Sequence, residues 1–248
     1  VIYKKSPEEI AAMRAAGAIL TDALNRLEEA LVPGVTTGEL DQIAEEVITA
    51  AGATPSFKGY RGFPASICTS PNEVIVHGIP GERRLEDGDI ISIDVGVIYR
   101  GLHADSAWTF PVGAVPAEIA DLLKVTEESL NAAIEQCRPG NRLGDVGHAV
   151  QEVAEAAGYS IVREYVGHGV GRNLHEEPQV PNYGPPGRRE VLSEGMTLAI
   201  EPMVNLGGAT TKVLGDGWTV VTADGRPSAH FEHTVAITPN GCQILTAR

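Results

Sequence analysis

Apolar residues recur at Ile10, Met13, Ile19 and Leu20 and on to Leu31 at roughly helical spacing, behind Ser6, Pro7 and Glu9. Ser followed by Pro at the first helical position and Glu three residues on is an N-terminal capping signal. Pro33-Gly34 closes this helix. Thr37 opens a second one, predicted over Glu39–Ala51 and stopped by Gly52. The pattern then changes: residues 66–77 are rich in β-branched and turn-forming types, and Ile90–Tyr99 and Leu102–Phe110 read as two strands joined at Arg100-Gly101.

The same order returns. Pro116-Ala-Glu-Ile119 echoes Pro7-Glu-Glu-Ile10, while Pro139-Gly140 and Ala156-Ala-Gly158 echo Pro33-Gly34 and Ala50-Ala-Gly52 at a constant offset of 106 residues. Strands follow again near Met196–Asn205 and His230–Thr238, and Asp94 recurs as Glu201 at an offset of 107. Chance similarity of helix caps is the plain alternative. Two copies are too few for a solenoid. The expectation is an α/β (α+β) chain, one domain over 1–248 with halves of about 1–113 and 114–248 packed about a pseudo-twofold axis and any shared site at the seam. The Pro/Gly-rich stretch Pro178–Gly187 reads as a surface loop.

Composition narrows the function. Lys+Arg number 19 and Asp+Glu 33, a formal charge of −14 over 248 residues. An acidic surface repels phosphate backbones and argues against specific nucleic-acid binding. No run approaches the roughly 18 apolar residues a bilayer span requires, and the start of the chain carries no apolar run like a signal peptide, so no membrane and a cytoplasmic address are expected. Three cysteines without a CxxC pair indicate neither a disulfide framework nor a zinc ribbon.

The chemistry lies in acids set among apolar neighbours. Asp94 sits in Ile-Ile-Ser-Ile-Asp-Val-Gly-Val-Ile, where a buried carboxylate needs a partner. If Arg100-Gly101 is a two-residue turn, Asp94 faces Ala107 and Asp105 faces Gly96, which makes the two acids diagonal neighbours on one face. Such a pair calls for a cation between them, or else each acid lies at a strand end facing solvent or an arginine. His168 and His175 flank a glycine-rich segment, Gly-His-Gly-Val-Gly-Arg-Asn-Leu-His. Their spacing is not that of a zincin helix, and the segment lacks the lysine of a phosphate-binding loop. A structural histidine beside glycines remains the ordinary reading. Glu201 and Glu232 stand in strand-like segments as Asp94 does. Four carboxylates and one imidazole form an oxygen-rich set suited to two divalent ions.

Taken in order, Val-His77-Gly-Ile-Pro, Ile-Asp94-Val-Gly-Val, Gly-Leu-His-Ala-Asp105, Gly-His168-Gly-Val-Gly, Leu-His175-Glu-Glu-Pro, Glu201-Pro-Met and Phe-Glu232-His-Thr closely resemble type I methionine aminopeptidases. The match runs from about residue 6 to the C-terminus. The resemblance implies the pita-bread fold, two pseudo-twofold-related helix-helix-strand-strand halves around a curved antiparallel sheet. It also implies two divalent ions (Co, Mn, Fe or Zn) held by Asp94, Asp105, His168, Glu201 and Glu232, and hydrolysis of the N-terminal methionine from nascent proteins and peptides by a metal-bridging hydroxide. Glu201 would serve as base, His175 as oxyanion donor, and His77 as a contact to the scissile amide. Tyr60, Phe63, Cys68 and Trp218 would line the methionine slot, with His77 at its edge, and a narrow next subsite would favour small second residues. The family further binds a monovalent cation through main-chain oxygens, here near Asn72, Val74 and Ser228, and is mostly monomeric. Any transient ribosome contact would use the catalytic domain's own surface. Three positions depart from the family pattern: Leu174 where Phe is common, Phe63 where Tyr is common, and His230 where an amide is often seen. The competing readings are an Xaa-Pro aminopeptidase or prolidase on the same fold, and a binding protein that has lost catalysis. The intact ligand set speaks against the second.

Overall fold

The computed structural model describes residues Val1–Arg248. Helix α1 (Pro7–Ala30) starts where its cap predicts: Ser6 Oγ accepts from the Glu9 N–H at 3.3 Å, and the Glu9 carboxylate accepts from the Ser6 N–H at 2.9 Å. Met13, Ala16, Leu20, Leu24 and Leu27 form its buried stripe at three- and four-residue spacing. Helix α2 (Thr37–Ala50) is capped by Thr36 rather than Thr37, because Glu39 then stands three residues after the cap and completes the reciprocal bonds.

Strands β1 (Thr54–Pro55), β2 (Ile67–Pro71), β3 (Val74–Val76), β4 (Ile90–Tyr99) and β5 (Leu102–Pro111) complete the first half. The β4–β5 hairpin has the expected register, Asp94 opposite Ala107 and Gly96 opposite Asp105. Arg100 and Gly101 take φ of 52° and 77°, the two left-handed positions of a turn whose twist matches the strands it joins.

The second half repeats the order with helices α3 (Ala117–Gln136) and α4 (Leu143–Ala156). Strands β6 (Ser160–Ile161), β7 (Gly167–Gly169), β8 (Glu176–Val180), β9 (Thr197–Ile200) and β10 (Met203–Asn205) follow, then β11 (Thr211–Val213), β12 (Val220–Thr222), β13 (Ser228–His230), β14 (His233–Thr238) and β15 (Gly241–Ile244). All pairings are antiparallel, and the largest sheet runs β15-β14-β9-β7-β8.

Two segments expected as continuous strands are each broken at an acid. The first parts into β9 and β10 at Glu201-Pro202, where proline has no N–H for a ladder bond, and the second into β13 and β14 at Phe231-Glu232. Pro178–Gly187 is not simply a surface loop. Its first three residues end β8, and Val180, Pro181 and Asn182 are buried.

Each half has its own core. Helices α1 and α2 bury Leu20, Leu24, Leu40 and Ile48 against Ile91 and Ile93 of β4, while Leu130 and Val146 of α3 and α4 pack with Leu198 and Val235 of β9 and β14. Trp108 on β5 packs against both cores. Hydroxyls stitch the seam between them: Ser106 Oγ donates to the Glu232 carbonyl at 2.6 Å, Thr109 Oγ1 to the His230 carbonyl at 2.7 Å, and Thr234 Oγ1 to the Asp105 carbonyl at 2.7 Å. The Glu232 N–H donates to the Ala107 carbonyl at 2.8 Å. The backbones that carry the candidate acids are thereby tied to one another across the two halves.

Strand β7 fits between its neighbours only because its ends are glycine. A Cβ at Gly169 would lie 2.3 Å from the Glu177 carbonyl oxygen, and one at Gly167 would lie 2.3 Å from that of Ala199. Gly169→Ala should therefore cost about 1–3 kcal/mol and lower Tm by roughly 2–10 °C in thermal unfolding. Gly81→Ala, where a Cβ meets nothing within 4 Å, should stay within about 0.5 kcal/mol. Equal effects would refute the packing argument.

Candidate metal centre

Asp94 from β4, Asp105 from β5, His168 from β7, Glu201 after β9 and Glu232 before β14 converge at the seam. His168 Nε2 lies 3.8 Å from Asp105 Oδ2 and 3.5 Å from Glu201 Oε1. Ligating atoms of Asp105, His168 and Glu232 lie within 4.8 Å of one another, as do those of Glu201, His230 and Glu232. Histidines are the sole basic side chains within ion-pair distance of these acids, so the alternative of an arginine-paired carboxylate does not hold.

The cluster is short of partners. Asp94 Oδ1, Asp105 Oδ1, Glu232 Oε1 and His230 Nε2 are buried without a hydrogen bond. Burial, reinforced by the neighbouring carboxylates, pushes Asp94, Glu201 and Glu232 well above the usual carboxylate range, and burial carries Asp105 up to about 7. Burial also drives His168 down to about 4, so its ring is neutral near pH 7. Its Nδ1 lies 2.8 Å from the Gly169 carbonyl, which can only accept. The proton therefore sits on Nδ1, and the Nε2 lone pair faces the acids. A neutral imidazole and four carboxylates, three of them with an orphaned oxygen, are the donor set of a divalent-cation site, and the residues fit such an ion.

The acids floor a cavity of about 170 Å³, and all eleven residues expected as metal ligands, catalytic groups or slot lining line it. Its apolar wall is built by Phe57, Phe63, Cys68 and Leu174 with Tyr60 and Trp218 packed against them, the Phe63 and Trp218 rings meeting edge to face at 5.1 Å. Phe57 and Arg61 also line it and were not foreseen. Phe57 precedes any motif, and Arg61 is brought in by a left-handed backbone (φ 49°) that no pattern announces. Burial pushes the Cys68 thiol up, with Asp94 adding to it.

Two histidines stand on the rim. His175 Nδ1 is 2.9 Å from Tyr60 Oη, and burial first, then the neighbouring His168, lowers it to about 3. The His175 loop is anchored from below, where Lys5 Nζ meets Glu176 Oε2 at 2.6 Å with both side chains almost wholly buried. His77 has φ of 61° and edge-to-face contacts with Tyr165 at 5.7 Å and Trp218 at 6.4 Å, and burial lowers its affinity for protons. Tyr165 was not anticipated, nor was Asn182, whose side chain donates to the Glu201 carbonyl at 3.1 Å from the stretch read as a loop. The Asn72 carbonyl accepts from the Ser228 N–H at 2.9 Å, which brings two of the three expected main-chain positions together.

Residues 11–239 match the model of metallopeptidase family M24. Methionine aminopeptidase 1 of Bacillus subtilis is 55% identical over 246 residues, covering 99% of either chain. The crystal structure of methionine aminopeptidase from Thermotoga maritima superposes with a TM-score of 0.98 at 48% identity, covering 100% of both chains. A prolidase from Pyrococcus furiosus gives a TM-score of 0.80 at 25% identity, covering 99% of this chain and 65% of the longer one. The chain has the pita-bread fold these neighbours share.

Carboxylates whose folded-state pKa is raised favour folding below their unfolded value near 4, and that contribution is lost as pH rises through the folded value, about 7 for Asp105. The Tm of chelator-treated protein should therefore fall between pH 5 and 8. Divalent ions should restore more degrees at pH 8 than at pH 5.5 in scanning calorimetry, and an equal gain at both would contradict the assignment.

Proposed function

The chain belongs to metallopeptidase family M24 and catalyses metal-dependent removal of N-terminal methionine, and we propose that Asp94, Asp105, His168, Glu201 and Glu232 hold two divalent ions for that reaction. The observation that carries this reading is the convergence of four carboxylates, free of lysine or arginine partners, with one neutral imidazole on the floor of an apolar slot. Bound there, divalent ions supply Lewis acidity, lowering the pKa of a water and polarising a carbonyl oxygen. Co, Mn, Fe and Zn all suit the donors. A monovalent cation at main-chain oxygens near Asn72, Val74 and Ser228 belongs to the same proposal.

The protein's own groups do the rest. Glu201 takes the proton of the attacking water, and its side chain is 13% exposed against 2% for Glu232, so water reaches it. In the tautomer this role needs, His175 Nδ1 accepts from the Tyr60 hydroxyl 2.9 Å away, which would leave the Nε2–H to donate to the oxygen that becomes negative as the carbonyl is attacked. His77 lies across the mouth and contacts the scissile amide. Phe63, Cys68 and Trp218, with Tyr60 and His77 at the edge, accept an unbranched thioether side chain and exclude water around it. A small second residue follows from the crowding of His77, His175 and Tyr60 at the exit.

We read residues 1–248 as one catalytic domain, since α1 interlocks with the C-terminal segment: Met13 and Leu245 share one buried cluster. The substrate is a peptide N-terminus beginning with methionine, and we take nascent chains to be its source, in the cytoplasm. No helix is long and apolar enough to cross a membrane. We read the catalytic unit as a monomer whose own surface would make any ribosome contact, which the charge of −14 keeps weak toward RNA.

His175→Ala should retain its metal by elemental analysis while kcat falls about 10²–10³-fold, the usual loss for one oxyanion donor. Loss of metal instead would place His175 among the ligands. A Met-Ala-Ser peptide should be cleaved and an Xaa-Pro peptide left intact, with chelator abolishing turnover. Preference for Xaa-Pro would favour the prolidase reading.

A further inference from the structure

We propose that His230 is a further nitrogen ligand of this chain's metal centre, so that imidazoles close it from two sides, His168 on one and His230 on the other. The inference rests on the reading that the carboxylate cluster holds divalent ions.

Glu201 lies between the two rings. His168 Nε2 stands 3.5 Å from its Oε1, and His230 Nε2 stands 3.4 Å from its Oε2. His230 Nε2 is 4.0 Å from Glu232 Oε2, much as His168 Nε2 is 3.8 Å from Asp105 Oδ2. The two histidines thus occupy equivalent stations toward the acids. For metal–ligand bonds near 2.1 Å in tetrahedral array, neighbouring ligand atoms are about 3.4 Å apart, which is close to the distance of each ring nitrogen from Glu201, the contacts to Asp105 and Glu232 being longer. A nitrogen donating a hydrogen bond to Glu201 would sit nearer 2.9 Å.

The ring has nowhere else to turn. Its side chain is 1% exposed, and Nε2 is buried without a hydrogen bond, an arrangement natural proteins avoid unless something else takes the group. The backbone holds it in place: the His230 N–H donates to Thr109 Oγ1 at 2.8 Å, and that hydroxyl donates back to the His230 carbonyl at 2.7 Å. Glu201, His230 and Glu232 form one three-donor group, Asp105, His168 and Glu232 another, and Glu232 is common to both. The consequence is a nitrogen donor in each group, which favours the later first-row ions over Mn²⁺ more than an oxygen-only second position would.

X-ray absorption of the full chain loaded with two Co²⁺ ions counts the imidazoles directly. The expected result is about one imidazole per ion, falling to about half in His230→Gln, with the Zn²⁺-to-Mn²⁺ affinity ratio dropping about tenfold in the variant by competition titration. About half an imidazole per ion in the unsubstituted protein overturns the proposal while leaving the metal reading standing, and this count decides even if the variant fails to fold. An unchanged count in a folded His230→Gln variant overturns it as well. Failure of the unsubstituted protein to bind Co²⁺ in calorimetric titration overturns the metal reading itself and the proposal with it.

Discussion

Repulsion among carboxylates held out of water is the constraint around which this molecule is arranged. Asp94, Asp105, Glu201 and Glu232 share one cavity floor, and although Arg61 lines the cavity, no lysine or arginine comes within ion-pair distance of them. Without a cation such a group is stable only by holding protons, which is the sense of the upward shifts at all four. The same property makes the pocket a strong trap for divalent ions, because an ion there relieves both the repulsion and the orphaned oxygens. Folding stability and metal chemistry are therefore two readings of one electrostatic fact.

Such a cluster has to be held by the rest of the fold. Side chains alone could swing apart, but their backbones cannot, since β5 is tied to the segments around His230, Glu232 and Thr234 by the hydroxyls of Ser106, Thr109 and Thr234. These bonds run between the halves, so the acids contributed by the first hairpin and those from the strand breaks of the second converge. The interruptions at Glu201-Pro202 and Phe231-Glu232 matter for the same reason: an acid at a strand break is free of the alternation that would send it to the opposite face.

Around this floor the cavity divides its labour. In the proposed reading the apolar wall of Phe63, Cys68, Leu174 and Trp218 would select a side chain, while His175 and His77 on the rim would handle charge. Loss of solvation lowers the proton affinity of both rim histidines, which would suit the proposed donor role above bound ions. The buried Lys5–Glu176 pair fixes the loop on which His175 rides, so the N-terminal segment also supports the site.

Local rules determined a good deal. Capping placed α1, the two-residue turn fixed the Asp94 and Asp105 register, and the repeated order of elements exposed the duplication, because caps, turns and alternation depend on residues close in the chain. The resemblance carried by motifs spread along the chain marked eleven of the fourteen cavity-lining residues as candidates, as matching motifs in order needs no knowledge of contacts. What local rules missed was decided between distant segments. The burial of Val180 comes from β8 pairing with β7, Arg61 and Tyr165 reach the site, and Asn182 reaches the Glu201 carbonyl, through loops whose course no periodicity encodes. In the sequence His230 stood out only as a departure from the family pattern, a histidine where an amide is often seen. Only the packing of β13 against β5 turned its ring toward Glu201, because the direction of a buried side chain is set by neighbours that arrive from elsewhere in the sequence.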